Sequence, residues 1–255
     1  MTPSNGLFLL LLGLVACLYA AVGHAGATGY IAVMSLAGID PQTIRPVALL
    51  LNVLVGGIAT LQFARAGYFS HKLFLPLAAA SLPAATIGGW LQMPTTVFEA
   101  VVGAVLLFSA GRMFAEWKAG WVAPEVAAED TQRPSAGLLL ALGSGLGFLS
   151  GLTGVGGGVF LTPVLLAIKA APIKEVAAVS AAFILVNSVA GLAGWLAAGN
   201  TLPAVGLSLV AAVVCGGIVG SQLGAFSMQA RTLRLLVAAV LLVAGVKLLT
   251  KGLMG

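Results

Sequence analysis

The chain has 255 residues, of which 60% are hydrophobic and only 7% are charged, and its formal net charge is +5. Soluble domains contain about 25% charged residues, so this composition excludes an ordinary soluble globular protein. It also excludes a disordered chain, which needs few apolar residues and much charge. The basic residues are scattered singly or in pairs between apolar runs, so they form no patch that would bind nucleic acid. The composition predicts a protein whose solvent is the lipid bilayer.

Ten apolar segments follow one another along the chain. They lack the alternation of polar and apolar residues that is typical of barrel strands, so they predict an all-α polytopic membrane protein. The segments lie at residues 6–22, 30–39, 46–63, 73–91, 97–113, 136–150, 159–168, 176–197, 202–224 and 233–249.

The two halves of the chain repeat one pattern of five segments. Pro41 matches Pro172, and Gly88 matches Gly220, at an offset that drifts smoothly from 128 to 135 residues along the chain. Chance matches would scatter in offset, so the pattern indicates an internal duplication. The predicted organisation is a first repeat, a polar central loop and a second repeat, at residues 1–115, 116–134 and 135–255.

The second segment of each half is short. Residues 30–39 and 159–168 span only about 15 Å as helices, half of the hydrocarbon thickness, and a glycine-rich break precedes each of them. Paired, interrupted segments in corresponding positions are a pointer to a transport site. We predict that each half consists of a glycine-broken first helix or re-entrant pair plus three full-length helices, giving 8–10 apolar helical segments in total.

The basic residues predict the orientation. If each half crosses the membrane an odd number of times, nine of the twelve basic residues lie in loops on one side. An eight-span arrangement splits them 7 to 5, so the positive-inside rule favours the odd halves. Odd halves joined end to end are inverted, which predicts an inverted-topology repeat with both termini outside. The rule leaves open whether the broken pairs are spans or re-entrant hairpins.

The sharpest local feature is the glycine-rich string from Gly151 to Gly158, with a weaker copy from Gly23 to Gly29. A regular helix is not expected there, because each glycine costs about 1 kcal/mol relative to alanine in a helix interior. Freed backbone N–H groups, together with the N-terminus of the following short helix, would suit an anion. Close packing of helices through small residues is the alternative interpretation.

Polar side chains near the breaks are further candidates. Asn52 and Asn187 each stand alone in an apolar run, so each is expected to have a partner, either across a helix interface or on a substrate oxyanion. His24 is the only titratable side chain in a break and is a candidate for proton coupling or for a structural hydrogen bond. The predicted substrate-binding residues are Gly26, Thr28, Gly29, Asn52, Thr153, Gly154, Gly156, Gly157, Gly158, Ser180 and Asn187.

The remaining charged residues fall at segment ends or in the central loop. We therefore expect neither a carboxylate relay nor a fixed cation in the membrane core. Arg112 and Lys247 end equivalent helices, where each is expected to neutralise the helix C-terminus and extend to the interface. No cluster of His, Cys or acidic residues has the spacing of metal ligands, so no metal and no cofactor are predicted.

Several motifs spread over nearly the whole chain form a family pattern. They are the string Gly151-x-x-Gly154-x-Gly156-Gly157-Gly158, which opens a short helix ending before Pro172, the Asn-containing segment 180–194, the glycine cluster 217–224, and weaker copies of each in the first half. Together they resemble the sulfite exporter TauE/SafE family of membrane transporters. The first glycine motif departs from the pattern, because Thr28 and Tyr30 replace two glycines and His24 is inserted.

The resemblance implies a secondary transporter that moves a small sulfur-containing or organic anion, such as sulfite or a sulfonate, across the bacterial cytoplasmic membrane by alternating access. The expected partners are this anion and the lipid bilayer, with no nucleic acid, and a homo-oligomer is left open. A passive anion channel and a non-transporting membrane assembly subunit are the alternatives. An enzyme is not expected, because the nearest serine strings, at residues 142–145 and 219–222, fail the intramembrane protease pattern.

Overall fold

The computed structural model describes residues 6–118, 131–132, 134–226 and 231–254, and within these ranges it contains ten helices and no strand. The predicted all-α fold with ten helical segments is therefore confirmed. The helices are α1 (Gly6–Ala20), α2 (Ala27–Leu36), α3 (Pro41–Arg65), α4 (His71–Trp90), α5 (Thr95–Lys118), α6 (Ala136–Thr153), α7 (Gly158–Ala167), α8 (Ile173–Ala197), α9 (Leu207–Phe226) and α10 (Arg231–Met254).

Local chemistry moves two helix starts away from the apolar boundaries. Helix α3 begins at Pro41, ahead of the predicted start at residue 46, because the Asp40 side chain accepts a hydrogen bond from the Gln42 N–H at 2.9 Å. An aspartate cap followed by proline in the first turn is a favourable helix start. Helix α9 begins later than the predicted residue 202, since residues 201–206 are not helical.

Helices α3 and α8 form the antiparallel centre of the molecule. Gly56 of α3 lies against the backbone of Ala181 and Leu185, whereas Gly191, further along α8, lies against Leu49, which is earlier in α3. Of the 18-residue apolar stretch by which α8 could span a membrane, 78% is buried inside the protein. This is the highest share among the candidate spans of the described residues. The other helices therefore pack around this pair.

Two parallel helix pairs flank this centre, each joined by glycines spaced four residues apart. In the first pair, glycines of α6 face the backbone of α4: Gly143 against Leu77, Gly147 against Ser81 and Gly151 against Ala85. In the second pair, glycines of α9 face the backbone of α1: Gly216 against Gly13, Gly220 against Cys17 and Gly224 against Ala21. Missing side chains let these backbones approach closely, as in small-residue packing of membrane helices.

The packing is what the predicted duplication would give. Helix α1 packs on α9 as α6 packs on α4, and α3 and α5 each pack on their own equivalents, α8 and α10. The α5–α10 pair is antiparallel, since Gly103 lies against Leu249 while Gly252 lies against Ala100. Antiparallel equivalents are what an inverted repeat requires. The repeat boundaries and the inverted relation in a membrane stay predictions.

Six of the described helices, α3, α4, α5, α6, α8 and α9, are long and apolar enough to cross a membrane. Helices α2 and α7 have 10 residues each and are too short to do so. Large apolar side chains such as Leu7, Leu75 and Leu207 are exposed on the outside. A lipid-facing surface accounts for this exposure, which would be unusual on a soluble monomer.

Candidate functional site

The second glycine string is a true helix break. Gly154 ends α6 with φ of +79°, and Gly156 and Gly157 follow with φ of +83° and +76°, a region that favours glycine. A Cβ on Gly156 would lie 2.8 Å from Asn52 Nδ2 and from Ile184 Cγ2, so α3 and α8 both approach this backbone. The small-residue packing interpretation applies to the start of the string, at Gly151, and the break begins at Gly154.

The first glycine string breaks the chain in the same way. Gly23 and Gly26 have φ of +75° and +100°, and α2 begins directly afterwards. Gly23 lies against the backbone of Ala177 in α8, and a Cβ on Gly26 would meet the ring of Tyr30 at 2.9 Å. Each break therefore packs against a long helix of the other half, because Gly154 lies in turn against the backbone of α3.

His24 joins the two breaks. Its Nε2 lies 3.1 Å from the Gly158 carbonyl oxygen and 2.8 Å from Thr162 Oγ1, and Thr162 donates to Ser180 Oγ at 2.8 Å. A carbonyl oxygen can only accept, so Nε2 carries the proton and donates. The chain of polar groups links the α1–α2 loop, α7 and α8. Thr162 was missed from the sequence, although it is a hydroxyl residue in a short apolar helix beside a break.

Buried polar atoms without a partner surround the second break. Asn52 is fully buried, its Nδ2 lies 3.5 Å from the Gly154 carbonyl oxygen, and its Oδ1 has no hydrogen-bond partner among the described residues. Neither amide atom of the fully buried Asn187 has such a partner, nor does the hydroxyl of Ser150. Asn187 stands one turn before Gly191, which lies against Gly151.

Of the two kinds of partner expected for each asparagine, a helix-interface partner is absent for Asn187 among the described residues and is a single long contact for Asn52. An unsatisfied buried polar group costs about 1–3 kcal/mol, so such groups are rare in folded proteins. Their concentration beside the break is the strongest sign of a polar ligand in the described part of the chain.

Two other predicted site residues, Thr28 and Thr153, donate their hydroxyl hydrogen bonds to protein groups. Thr28 donates to the Tyr19 hydroxyl at 2.9 Å, and a Cβ on Gly29 would lie 3.3 Å from the same tyrosine ring. Thr153 donates back to the Leu149 carbonyl at 2.6 Å. These contacts join each break to the helix that precedes it. The hydroxyl donors of both threonines are therefore not available to a substrate.

Arg45 lies near the start of α3, as its position at a segment end predicts, but it is a buried cation. It is 3% exposed, and its guanidinium lies 5.1 Å from the centre of the Trp195 ring. It donates to four backbone carbonyls: Gly88 at 2.6 Å, Gly89 at 2.8 Å, Leu91 at 3.0 Å, and Gly151 at 2.8 and 3.1 Å. Unpaired carbonyls at helix C-termini carry partial negative charge, which the apolar pattern around this position does not reveal.

Two more charged residues bind groups on other helices, and Lys247 thereby departs from expectation. Lys247 donates to the Ser35 carbonyl at 2.8 Å, so it neutralises the C-terminal turn of α2 instead of its own helix. Glu99 is buried and forms an ion pair of 2.6 Å with Lys251, which is largely exposed. Within the described residues, no group of three His, Cys, Asp or Glu could hold a metal ion.

Cavities lie at both ends of the α3–α8 pair. One, of about 380 Å³, is lined by residues 67–70, after α3, and 172–175, at the start of α8. The other, of about 60 Å³, lies at the end formed by the start of α3 and the end of α8. It is lined by Pro41, Gln42, Arg45, Gln92, Met93, Thr95, Phe98, Trp195 and Asn200.

Comparison with known proteins matches nearly the whole chain. The family model of the sulfite exporter TauE/SafE matches residues 8–248. The probable membrane transporter protein y4hK of Sinorhizobium fredii is 38% identical over 235 residues, covering 92% of this chain and 94% of that protein. The probable membrane transporter protein YunE of Bacillus subtilis is 23% identical over 227 residues, covering 84% of this chain and 83% of that protein. No solved structure matches.

Proposed function

Because the chain belongs to the sulfite exporter TauE/SafE family, and is a membrane transporter by that membership, we propose that it moves a small sulfur-containing or organic anion by alternating access across the bacterial cytoplasmic membrane. The names of the family and of the relatives indicate an integral membrane transporter and not an enzyme. The class of anion, the alternating-access mechanism and the binding site go beyond what these names state.

Asn187 is the observation that carries the proposed site. A fully buried amide with neither atom hydrogen-bonded to a described residue is destabilising by itself, so a role in binding is the reason to keep it. It offers an N–H₂ donor to an anion oxygen from α8. Asn52 offers a second amide from α3, beside the Gly154 carbonyl, and the Ser150 hydroxyl supplies a third group.

The backbone of the second break adds positive potential. The N–H groups at the start of a helix have no intrahelical acceptor, and in α7 the first such bonds are made by Phe160 and Leu161 to the Gly157 carbonyl. The N–H groups of residues 157–159 are therefore available together with the positive end of the α7 dipole. Glycine is needed here because a Cβ on Gly156, Gly157 or Gly158 would lie within 3 Å of a side chain of α3 or α8.

The two end cavities support alternating access. They lie at opposite ends of the same antiparallel pair, with the two breaks packed between those ends against α3 and α8. A rocking of the halves around the breaks would join the site first to one cavity and then to the other. His24 spans the two breaks, so protonation of its ring would act where the halves meet.

Transport by purified protein in liposomes tests the proposal. Radiolabelled sulfite, sulfoacetate, taurine and acetate would each be offered to vesicles preloaded with the same unlabelled anion. Saturable uptake that is accelerated by preloading is expected of a carrier for that anion. Flux that rises linearly with concentration and ignores preloading would replace the carrier with a channel, and no flux above empty vesicles would favour a non-transporting subunit.

A thermal-shift screen of the same anions provides the binding control. A ligand at 100 times its dissociation constant stabilises a protein by about 2.7 kcal/mol, which is a measurable shift. Stabilisation by sulfite or a sulfonate is expected to exceed that by acetate. Stabilisation by carboxylates alone would remove sulfur from the proposal.

A further inference from the structure

The smaller cavity contains a cation whose charge no acidic side chain balances. Arg45 forms no ion pair with any described residue, and every acceptor that it uses is a backbone carbonyl. Asp40, the acid nearest to it in sequence, is occupied by capping the Gln42 N–H. Carbonyl dipoles satisfy the hydrogen bonds of a guanidinium, but they leave its full positive charge in a region of low dielectric.

One N–H group of the Arg45 guanidinium has no acceptor among the described residues. The guanidinium has five N–H groups, of which Nε carries one and each terminal nitrogen carries two. Nε donates to Gly151, Nη2 donates to the carbonyls of Gly88, Gly89 and Gly151, and Nη1 donates only to Leu91. One N–H of Nη1 is therefore left for a ligand, which could bind without breaking the contacts that hold α4 and α6.

The position equivalent to Arg45 in the predicted repeat is not an arginine. The duplication offset of 132 residues places Ala177 opposite Arg45 and Phe63 opposite Trp195, at the other end of the same helix pair. Ala177 and Phe63 pack in one apolar cluster, and the cation at that end, Lys174, lies 5.0 Å from the centre of the Tyr68 ring instead. The Arg45–Trp195 pair is thus an addition to one end of a repeated design, and it borders a cavity.

The rest of the cavity lining suits a small oxyanion. Gln42, Gln92 and Thr95 supply polar groups at its exposed rim, while Phe98 and Trp195 supply apolar walls. Its volume is about 60 Å³, so a ligand bound inside it has to be small. We propose that this cavity binds a small oxyanion through Arg45, at the end of α3 that the sequence predicts to be outside.

This site goes beyond the proposed function, because it binds an anion at one end of the helix pair and does not require transport. The same chemistry is carried by a free oxyanion and by the phosphate of a lipid headgroup. Trp195 reports on the site, since its ring contacts the guanidinium. A background with Trp90, Trp117 and Trp121 replaced by phenylalanine leaves Trp195 as the single tryptophan of the four in the chain.

The test titrates the full chain, purified in a nonionic detergent, with sodium sulfite, sodium sulfate and dihexanoyl phosphatidylglycerol, while Trp195 emission is recorded. A saturable change is expected with at least one of them. Response to sulfite or sulfate assigns the site to a free anion, and response to the lipid alone assigns it to a headgroup phosphate. No saturable response to any of the three would overturn the proposal.

Three variants that each lower the net charge by one assign the response to the cavity. Gln92→Glu places a negative charge on the exposed rim, where it repels an anion, and should raise the Kd of the anion at least about tenfold. Arg45→Gln removes the positive charge and should raise the Kd by as much. Lys174→Gln, at the opposite cavity, should leave the Kd within about twofold. Equal effects of Gln92→Glu and Lys174→Gln would overturn the proposal, and Gln92→Glu decides alone if Arg45→Gln does not fold.

Asn187→Ala distinguishes this oxyanion site from the proposed transport site at the second break. It should keep the Trp195 response while transport is lost. If the response is present and no variant transports any anion, the proposed function fails and the oxyanion site stands. If Asn187→Ala removes the Trp195 response together with transport, the two sites are one and the separate oxyanion site is wrong.

Discussion

The two glycine breaks share a backbone design and differ in what surrounds them. Both use left-handed glycines to end one helix and start a ten-residue helix, and both pack against a long helix of the other half. At the first break, Thr28 and Tyr19 satisfy each other and the Tyr30 ring fills the space against Gly26, its hydroxyl having no partner among the described residues. At the second break, buried polar atoms have no hydrogen-bond partner among the described residues; they belong to Asn52, Ser150 and Asn187.

The difference teaches that the two breaks share a backbone conformation but not the polar side chains around it. The first break has exchanged glycines for side chains, so its polar groups largely bind one another. The second break keeps its glycines, and the side chains of Asn52, Ser150 and Asn187 keep buried polar atoms with no partner among the described residues. We therefore expect changes at the second break to act on transport and changes at the first to act on stability.

Gly156→Ala should have the largest effect. A Cβ here would lie 2.8 Å from Asn52 Nδ2, at a φ of +83° that costs about 1–2 kcal/mol for alanine. Anion uptake into liposomes should fall at least about tenfold. Gly38→Ala is the matched control, because it has φ of +76° with nothing within 4 Å of its Cβ. Equal losses of uptake in both variants would attribute the effect to backbone strain alone.

Asn187→Leu should separate binding from stability. Replacing an unsatisfied amide by an apolar side chain of similar size should raise the free energy of unfolding by about 1 kcal/mol, seen as a higher Tm, while uptake falls about tenfold. Asn200→Leu should lower the Tm instead, because Asn200 Nδ2 donates to the Trp195 carbonyl at 3.1 Å. A lower Tm in Asn187→Leu would mean that Asn187 supports the fold and not the substrate.

His24→Gln tests whether the link between the breaks couples protons to transport. Histidine titrates near neutral pH, so uptake by the unchanged protein should vary between about pH 5.5 and about pH 8, and glutamine should remove that variation. His71→Gln should keep it, because His71 stands at the start of α4 and contacts Phe69. A pH profile that survives in His24→Gln would leave His24 with a structural role.

Thr28→Val should have the smallest effect on transport. It removes the 2.9 Å hydrogen bond to Tyr19 and leaves a buried hydroxyl unsatisfied, which should lower the free energy of unfolding by about 1–2 kcal/mol. Uptake per folded protein should stay unchanged, and Thr28→Ser should restore the Tm. A selective loss of uptake with an unchanged Tm would return Thr28 to the binding site.

Much of the architecture was readable from the chain because hydropathy and glycine act locally. The apolar runs predicted ten helices, and the glycine strings predicted where two of them break. Starts such as that of α3 shifted because a single cap, Asp40, outweighs the apolar boundary. Among the site residues, Asn187 was found because a lone amide in an apolar run is conspicuous, whereas Thr162 depended on a contact with His24 across 138 residues.

By itself, the sequence determined the lipid solvent, the helical fold, the two breaks and the family, since each depends on composition, periodicity or short motifs. Only the tertiary structure decided which polar groups are satisfied. The sequence places Arg45 at a segment end, yet its side chain is buried. The reason is that carbonyl groups at the C-terminal ends of α4 and α6, from residues 88–91 and 151, accept its hydrogen bonds. Whether a buried donor or charge is bonded depends on groups brought from distant parts of the chain, and no local pattern contains that information.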